Sequence, residues 1–162
     1  GLNGNESYDH AEFFEVTREC IQTILNCEGR IIAAGTTSMR TLESLYWLGV
    51  RVLDGKEADA VEQWEPYLSY PSYSKEEALM ALLSHLDATK RNSICASASI
   101  CIAPGYSFKI CSGLQTNYHQ PKSTLLLLVA AAVGEEWKRI YLHAMNNDYT
   151  FLSYGDTMLL WF

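Results

Sequence analysis

The chain has 162 residues, of which 48% are hydrophobic and 19% are charged, and its formal net charge is −7. This length and composition predict one globular domain with a sizeable core and argue against a disordered chain. The acidic balance argues against direct binding of a phosphate backbone by this chain alone, because such binding needs clustered Lys and Arg side chains.

The first fifty residues predict a helix, a strand, a polar turn and a second helix. Thr17 fits the N-cap position of the first helix, which Gly29 is predicted to end. The apolar run 31–34, bounded by Gly35, predicts a short strand that is buried on both faces. Helical spacing then resumes along an apolar stripe formed by Met39, Leu42, Leu45 and Leu48. This order of elements is typical of a layered α/β domain.

Residues 49–91 depart from this pattern, and we interpret them as an insertion on the core domain. An irregular connector comes first, in which prolines separate four aromatic residues: Trp64, Tyr67, Tyr70 and Tyr73. Ser74 and Glu77 have the spacing of a capping box and predict a helix that ends at about residue 90. We expect the aromatic residues to form an internal cluster, and the alternative is a surface that binds a protein partner.

The next part of the chain predicts two strands and a helix. Segments 94–103 and 106–111 are candidate strands on either side of a Pro-Gly turn. Pro121 and the hydroxyl residues after it predict the start of a helix through the apolar run 125–133. Because that run is apolar on every side, we expect the helix to be deeply buried.

The last part of the chain predicts an amphipathic helix and a pair of strands. The helix follows Gly134 and is expected to end at about residue 147. Segments 149–152 and 157–162 are predicted to be strands joined by the turn 153–156. No internal repeat or low-complexity segment is visible.

The five cysteines are an odd set without CxxC spacing, at Cys20, Cys27, Cys95, Cys101 and Cys111. We therefore expect free thiols in a reducing compartment. No secretory signal and no apolar run of the roughly 20 residues that span a bilayer is visible. These features predict a cytoplasmic protein that does not bind a membrane.

A first candidate site is the polar turn Thr36-Thr37-Ser38, which Gly35 opens. Backbone N–H groups at the start of a helix lie at its positive end and can bind a carboxylate or a phosphate, with Arg40 nearby. The alternative is that Thr37 or Ser38 only caps its own helix. No Walker lysine or GxGxxG motif is present to decide between them.

A second candidate site groups Thr116, Asn117, His119, Ser123 and Thr124. An Asn side chain can bind the edge of a base or an amide through two hydrogen bonds, and His can act as an acid or a base near neutral pH. The alternative is a loop whose side chains satisfy its own backbone.

A third candidate site is the turn Ser153-Tyr154-Gly155-Asp156. Gly and Asp are common turn residues, so an ordinary hairpin turn is the default interpretation. The functional alternative is that the Asp156 carboxylate holds a ribose hydroxyl or removes a proton.

His10 and Glu12 have the alternate spacing that places two side chains on one face of an extended segment. Together with His119 and Asp156 they have the donor atoms of a metal site. Because no tight motif supports such a site, we predict no bound metal.

These motifs resemble those of the S-adenosylmethionine:tRNA ribosyltransferase-isomerase family of queuosine biosynthesis. Each motif alone is weak, but five occur in the family's order and cover about half of the chain. The matching segments are His10–Val16, Ile32–Glu43, Pro104–Lys109, Leu114–Leu125 and Phe151–Met158. The sequence departs from the family in the longer connector 49–91 and in Gln120, where the family commonly has an apolar residue.

The resemblance implies a three-layer α/β/α sandwich, with residues 1–162 as its C-terminal part and without the family's β-barrel domain. It implies transfer and isomerisation of the ribosyl moiety of S-adenosylmethionine to 7-aminomethyl-7-deazaguanine in tRNA, giving epoxyqueuosine. S-adenosylmethionine is then a substrate, no cofactor is needed, and tRNA binds through the full-length protein. This chain is expected to be catalytically incomplete alone. The alternative is a non-catalytic paralogue that binds a nucleoside or RNA.

The same resemblance supplies hypotheses for individual residues. His119 and Asp156 are the candidate catalytic residues. The candidate substrate-binding residues are His10, Glu12, Gly35, Thr36, Thr37, Ser38, Arg40, Thr116, Asn117, Ser123, Thr124, Tyr154 and Gly155.

Overall fold

A computed structural model describes residues 11–162 of the chain and shows a mixed α/β fold. The α-helices are α1 (Arg18–Leu25), α2 (Thr36–Leu53), α3 (Lys75–Thr89), α4 (Thr124–Val133) and α5 (Glu136–Asn146). The strands are β1 (Glu12–Thr17), β2 (Ile32–Ala34), β3 (Ala60–Val61), β4 (Ser93–Ala98), β5 (Gly113–Asn117) and β6 (Thr157–Trp161). A short 3₁₀-helix spans Glu65–Tyr67. The mixed α/β class predicted from the sequence is confirmed.

The described strands form two three-stranded sheets. In one sheet β4 lies between β1, which is antiparallel to it, and β3, which is parallel to it. In the other sheet β5 lies between β2, which is parallel to it, and β6, which is antiparallel to it. The carboxyl ends of β2 and β5 and the start of β6 therefore lie at the same end of the second sheet.

The predicted helix caps are present. The Thr17 hydroxyl accepts a hydrogen bond from the backbone N–H of Cys20 at 3.2 Å and starts α1. Ser74 and Glu77 form the predicted capping box at the start of α3, with hydrogen bonds of 3.1 and 2.7 Å. The Ser123 hydroxyl starts α4 by accepting a hydrogen bond from Leu126. These caps confirm the starts of three predicted helices.

Two predictions about the first half of the chain are wrong in detail. Helix α1 ends at Leu25 with Asn26 as its cap, so Gly29 lies beyond the helix. Strand β2 is buried on one face only, because Ala33 is buried whereas Ile32 and Ala34 are exposed. At this strand only one face of the sheet is covered by the core. The apolar run 31–34 was therefore not evidence that both faces are buried.

Helix α2 continues past the predicted start of the insertion at residue 49 and ends at Leu53. At Gly49 it lies against α3 so closely that a Cβ atom would be 2.1 Å from the carbonyl oxygen of Ala78. The absence of a side chain at Gly49 therefore lets the two helices pack together. Helix α3, which lies in the segment that the sequence analysis interprets as an insertion, is part of the core in the described structure.

Segment 106–111 is an irregular loop and not the predicted strand. The loop is organised by Glu43 of α2, whose carboxylate is fully buried. Its oxygens accept hydrogen bonds at 2.7–3.0 Å from the hydroxyl of Tyr106 and from three backbone N–H groups, those of Lys109, Ile110 and Cys111. Burial, and then the Glu43 carboxylate, raise the pKa of the Tyr106 hydroxyl, which keeps it protonated as a donor. The backbone N–H groups of residues 109–111 are thus bonded to Glu43 and are not available to pair with a neighbouring strand.

Two predictions about the end of the chain are also corrected. Segment 149–152 is not a strand, because the N–H of Thr150 donates to the Asp156 carboxylate and that of Leu152 to Tyr118. Helix α4 is only partly buried, with Leu127 42% exposed. Its apolar residues cover the core on one side and line an open cavity on the other.

Candidate functional site

Three polar turns lie at one end of the β2-β5-β6 sheet. The N–H of Gly35, which follows β2, donates to the carbonyl of Gln115 in β5 at 2.8 Å. Asn117 at the end of β5 pairs with Thr157 at the start of β6. The three turns that the sequence singled out are therefore brought together by the topology of one sheet.

The turn after β2 leaves the start of α2 without a side-chain cap. Gly35 is the N-cap and has a φ of 94°, a conformation that residues with a side chain rarely adopt. Neither Thr37 nor Ser38 caps the helix, and both are exposed. The alternative interpretation, in which they only cap their own helix, is therefore wrong. The first N–H groups of α2 remain available at the positive helix end.

The turn after β5 holds His119 in a half-buried position. The Nε2 atom of His119 lies 2.8 Å from the Oγ1 atom of Thr116, and either ring tautomer satisfies this contact because a hydroxyl can donate or accept. The N–H of His119 donates to the hydroxyl of Tyr141 at 2.9 Å. Burial lowers the pKa of His119. A neutral imidazole held in this way can accept a proton at neutral pH.

We expect this histidine to make stability depend on pH. In the unfolded chain its pKa is near 6.5, whereas the folded pKa is lower. As pH falls below about 6.5 the unfolded chain binds the proton first, so the free energy of unfolding falls until the folded pKa is reached. We expect the free energy of unfolding, measured by urea denaturation, to fall more between about pH 7.5 and about pH 5.5 for the natural chain than for His119→Gln. Equal losses in the two proteins would contradict this assignment.

The turn before β6 is closed by Asp156. Its carboxylate accepts hydrogen bonds from the N–H and the hydroxyl of Thr150, at 2.8 and 3.0 Å. These two bonds hold the pKa of the Asp156 carboxyl below its usual range. Gly155 passes close to the Thr150 carbonyl, with room for no Cβ atom, and the side chain of Tyr154 is fully exposed. Asp156 therefore has a structural role in a closed turn, although no hairpin surrounds it.

Asn117 connects the second turn to the third. Its side-chain amide donates to the carbonyl of Gly155 at 3.2 Å and to that of Asp156 at 3.4 Å. The donor atoms of this amide are thus used within the protein, while its oxygen remains as an acceptor.

The side chain of Arg40 forms an ion pair with the β1-β4-β3 sheet. Its Nη1 atom is 3.3 Å from a carboxylate oxygen of Glu12 in β1, and it lines a small cleft beside residues 99–102 and Thr124. The Nε atom of Arg40 and the second oxygen of Glu12 are buried without a hydrogen-bond partner among the described residues. His10, the other member of that motif, lies outside the described residues. Within residues 11–162, no cluster of three or more His, Cys, Asp or Glu side chains has the geometry of a metal site.

Ser123 and Thr124 line a separate cavity of about 440 Å³ at the start of α4. The Ser123 hydroxyl is occupied, since it caps α4 and donates to the carbonyl of Gln120 at 2.8 Å. Most of the wall is apolar or aromatic and includes Trp64, Pro104, Leu126, Leu127 and Trp137. Gln63, Cys101 and Thr124 line both this cavity and the cleft at Arg40, so the two adjoin.

Sequence reasoning missed two important residues. Glu43 was counted in a family motif but was given no role, although it shares the buried helical face of Met39, Tyr46 and Val50, where a lone carboxylate needs partners. Trp64 was assigned to an internal cluster, whereas it is 57% exposed at the cavity. The spacing of Glu43 was a usable signal, but no local pattern indicated the position of Trp64.

The carboxyl ends of neighbouring parallel strands are where α/β domains commonly bind small ligands, and two of the polar turns lie at such ends. The chain belongs to the queuosine biosynthesis protein family, whose model matches residues 3–160. Within residues 11–162, the helices are too short or too polar to cross a membrane.

Similar proteins include two enzymes named S-adenosylmethionine:tRNA ribosyltransferase-isomerase. The one from Prochlorococcus marinus (strain NATL2A) is 35% identical over 155 residues, which cover 93% of this chain and 32% of that protein. The one from Nitrosomonas eutropha is 33% identical over 162 residues, covering 98% of this chain and 36% of that protein. The chain therefore spans about a third of the length of these curated relatives.

A crystal structure of S-adenosylmethionine tRNA ribosyltransferase from Thermotoga maritima is also similar. The match has a TM-score of 0.61 and 28% sequence identity, and it covers 91% of this chain and 40% of that chain. The family resemblance read from the five motifs is confirmed.

Proposed function

We propose that this chain supplies part of the active site of an S-adenosylmethionine:tRNA ribosyltransferase-isomerase. The reaction transfers and isomerises the ribosyl moiety of S-adenosylmethionine to 7-aminomethyl-7-deazaguanine in tRNA and gives epoxyqueuosine. The observation that carries the proposal is the family match over residues 3–160. The meeting of three family motifs at one sheet end supports it.

The reaction needs a base to remove a proton from the carbon beside the sulfonium, whose positive charge acidifies that carbon. We assign this role to His119, because its lowered pKa keeps the ring neutral and able to accept a proton near pH 7. Asp156 and Tyr154 are assigned to the ribose. The closed turn that Asp156 makes with Thr150 fixes the carboxylate in place, which supports a positioning role at the ribose hydroxyls.

Two features support binding of the charged parts of the substrates. The uncapped start of α2, with Gly35, Thr36, Thr37 and Ser38, offers N–H donors to an anionic group. Arg40 lies with Glu12 at a different cleft, so we assign it to a second polar group of the substrate. Because the chain has a net charge of −7, we assign the basic surface for tRNA to the rest of the full-length protein, and we expect that protein to act in the cytoplasm.

The test is turnover by the protein encoded in the complete reading frame that carries this chain. It is incubated with S-adenosylmethionine and tRNA containing 7-aminomethyl-7-deazaguanine, and release of adenine and methionine is followed together with the modified nucleoside. We expect epoxyqueuosine in the tRNA. Binding of substrate without any product would contradict the proposal and favour a non-catalytic nucleoside-binding or RNA-binding paralogue.

A further inference from the structure

The apolar cavity at the start of α4 has one wall from the inserted segment 49–91. Gln63 and Trp64 of that segment line it together with Leu127 of α4 and Trp137 of α5. We propose that this cavity binds a purine-type base and that Trp64 provides the stacking surface and Gln63 the hydrogen-bonding edge. The inference rests on the proposed function, for which it names the part of the substrate that this chain recognises.

The size and chemistry of the cavity fit a flat heteroaromatic ring. Its volume of about 440 Å³ lies within the range of small-molecule sites. Trp64 is 57% exposed and Leu127 is 42% exposed, so a ring that packs against these lining residues removes apolar surface from water. Lys122 is the one cation of the described residues that lines the cavity, so the wall does not favour a multiply charged phosphate group.

The side chain of Gln63 is available for recognition. Its backbone carbonyl accepts a hydrogen bond from Cys101 at 2.9 Å, which fixes the residue beside the cavity. Its amide makes no hydrogen bond to the residues that the structure describes, and it presents one acceptor and two donors. An amide can pair with the edge of a purine through two hydrogen bonds, which a purely apolar wall cannot provide.

The inserted segment is held rigidly enough to form a wall. Glu65, which is buried, accepts hydrogen bonds of 3.0 Å from Arg51, from the hydroxyl of Tyr70 and from the N–H of Glu62. The hydroxyl of Tyr67 donates to the carbonyl of Cys101 and accepts from the N–H of Ala103, both at 3.0 Å. Trp64 therefore stands on a short element fixed at both ends, which reduces the entropy lost when a ligand stacks on it.

The adjoining cleft gives the ligand a second anchoring point. Gln63, Cys101 and Thr124 connect the cavity to Arg40, whose Nε atom is buried without a partner among the described residues. A base with a polar substituent can occupy both spaces. Two substrates of the proposed reaction carry such a base: the adenine of S-adenosylmethionine and the 7-deazaguanine of the tRNA.

The test measures binding to the 162-residue chain by calorimetric titration. The probes are S-adenosylmethionine, and separately an anticodon stem-loop that contains 7-aminomethyl-7-deazaguanine. We expect Trp64→Ala to weaken binding of one of them by about five- to 150-fold, the range for loss of stacking on one base, and Trp64→Phe to retain most of it. Gln63→Ala should weaken binding of the same probe.

Trp161→Ala is the matched control, because Trp161 is 48% exposed on β6 and does not line the cavity. It should leave both affinities unchanged, and circular dichroism should show that each variant is folded. If Trp64→Ala weakens binding of S-adenosylmethionine alone, the cavity binds the adenine. If it weakens binding of the stem-loop alone, the cavity binds the deazaguanine.

Two results overturn the inference: binding of neither probe by the natural chain, or equal affinities for the natural chain and Trp64→Ala. Neither result contradicts the proposed function, because turnover by the complete protein is measured separately. Conversely, a complete protein that binds a probe through Trp64 but gives no product contradicts the proposed function alone.

Discussion

Replacement of Glu43 by leucine should lower the free energy of unfolding by at least about 3 kcal/mol. The leucine fills a similar space, but it leaves the N–H groups of Lys109, Ile110 and Cys111 buried without an acceptor. Each such loss costs about 1–3 kcal/mol, and native domains are stable by only about 5–15 kcal/mol. The measurement is urea denaturation followed by tryptophan fluorescence and circular dichroism.

Two further variants make this test specific. Glu43→Gln keeps one acceptor oxygen but places a donor amide next to other donors, so we expect a loss of about 2 kcal/mol. Glu28→Leu changes an exposed glutamate in the same way and should stay within about 0.5 kcal/mol of the natural chain. A loss below about 1 kcal/mol for Glu43→Leu would show that the 106–111 loop does not depend on this carboxylate.

His119→Ala should lower turnover of the complete protein at least about tenfold, the low end for one acid–base contact. The variant removes the imidazole but leaves the backbone N–H that donates to Tyr141. Asp156→Ala should lower turnover to a similar degree. His143→Ala is the control for His119, because His143 is an exposed histidine on α5. Unchanged turnover in both site variants would refute the proposed roles.

The structural role of Asp156 requires a separate comparison. Thr150→Val removes the hydroxyl that donates to Asp156 and retains both the carboxylate and the N–H of residue 150. If the carboxylate itself contacts the ribose, Thr150→Val should keep most of the turnover that Asp156→Ala loses. If both variants lose the same amount of turnover, Asp156 acts by maintaining the geometry of the turn.

Elements that depend on local contacts were predicted well from the sequence. The starts of α1, α3 and α4 were predicted because Thr17, Ser74 and Ser123 each accept a hydrogen bond from an N–H three residues ahead. The three candidate turns lie at one end of one sheet because β5 pairs with both β2 and β6, which no local pattern of the sequence reveals.

Elements that depend on distant partners were predicted badly. Segment 106–111 has the apolar pattern of a strand, but its N–H groups donate to a carboxylate 66–68 residues away. The Thr150 N–H is likewise bonded to the side chain of Asp156. The position of Trp64 at the cavity depends on the buried pair of Arg51 and Glu65, which no periodicity reveals. Long-range side-chain bonds to backbone therefore limited both the fold prediction and the site prediction.

The way Glu43 holds the 106–111 loop has an evolutionary consequence. Three of its four contacts are to main-chain N–H groups, which every residue except proline possesses. Mutations in this loop can therefore replace the exposed side chain of Ser107 or the partly exposed one of Lys109 without removing the bonds that fix its path. Descendant proteins are free to change what this surface presents while inheriting the same scaffold.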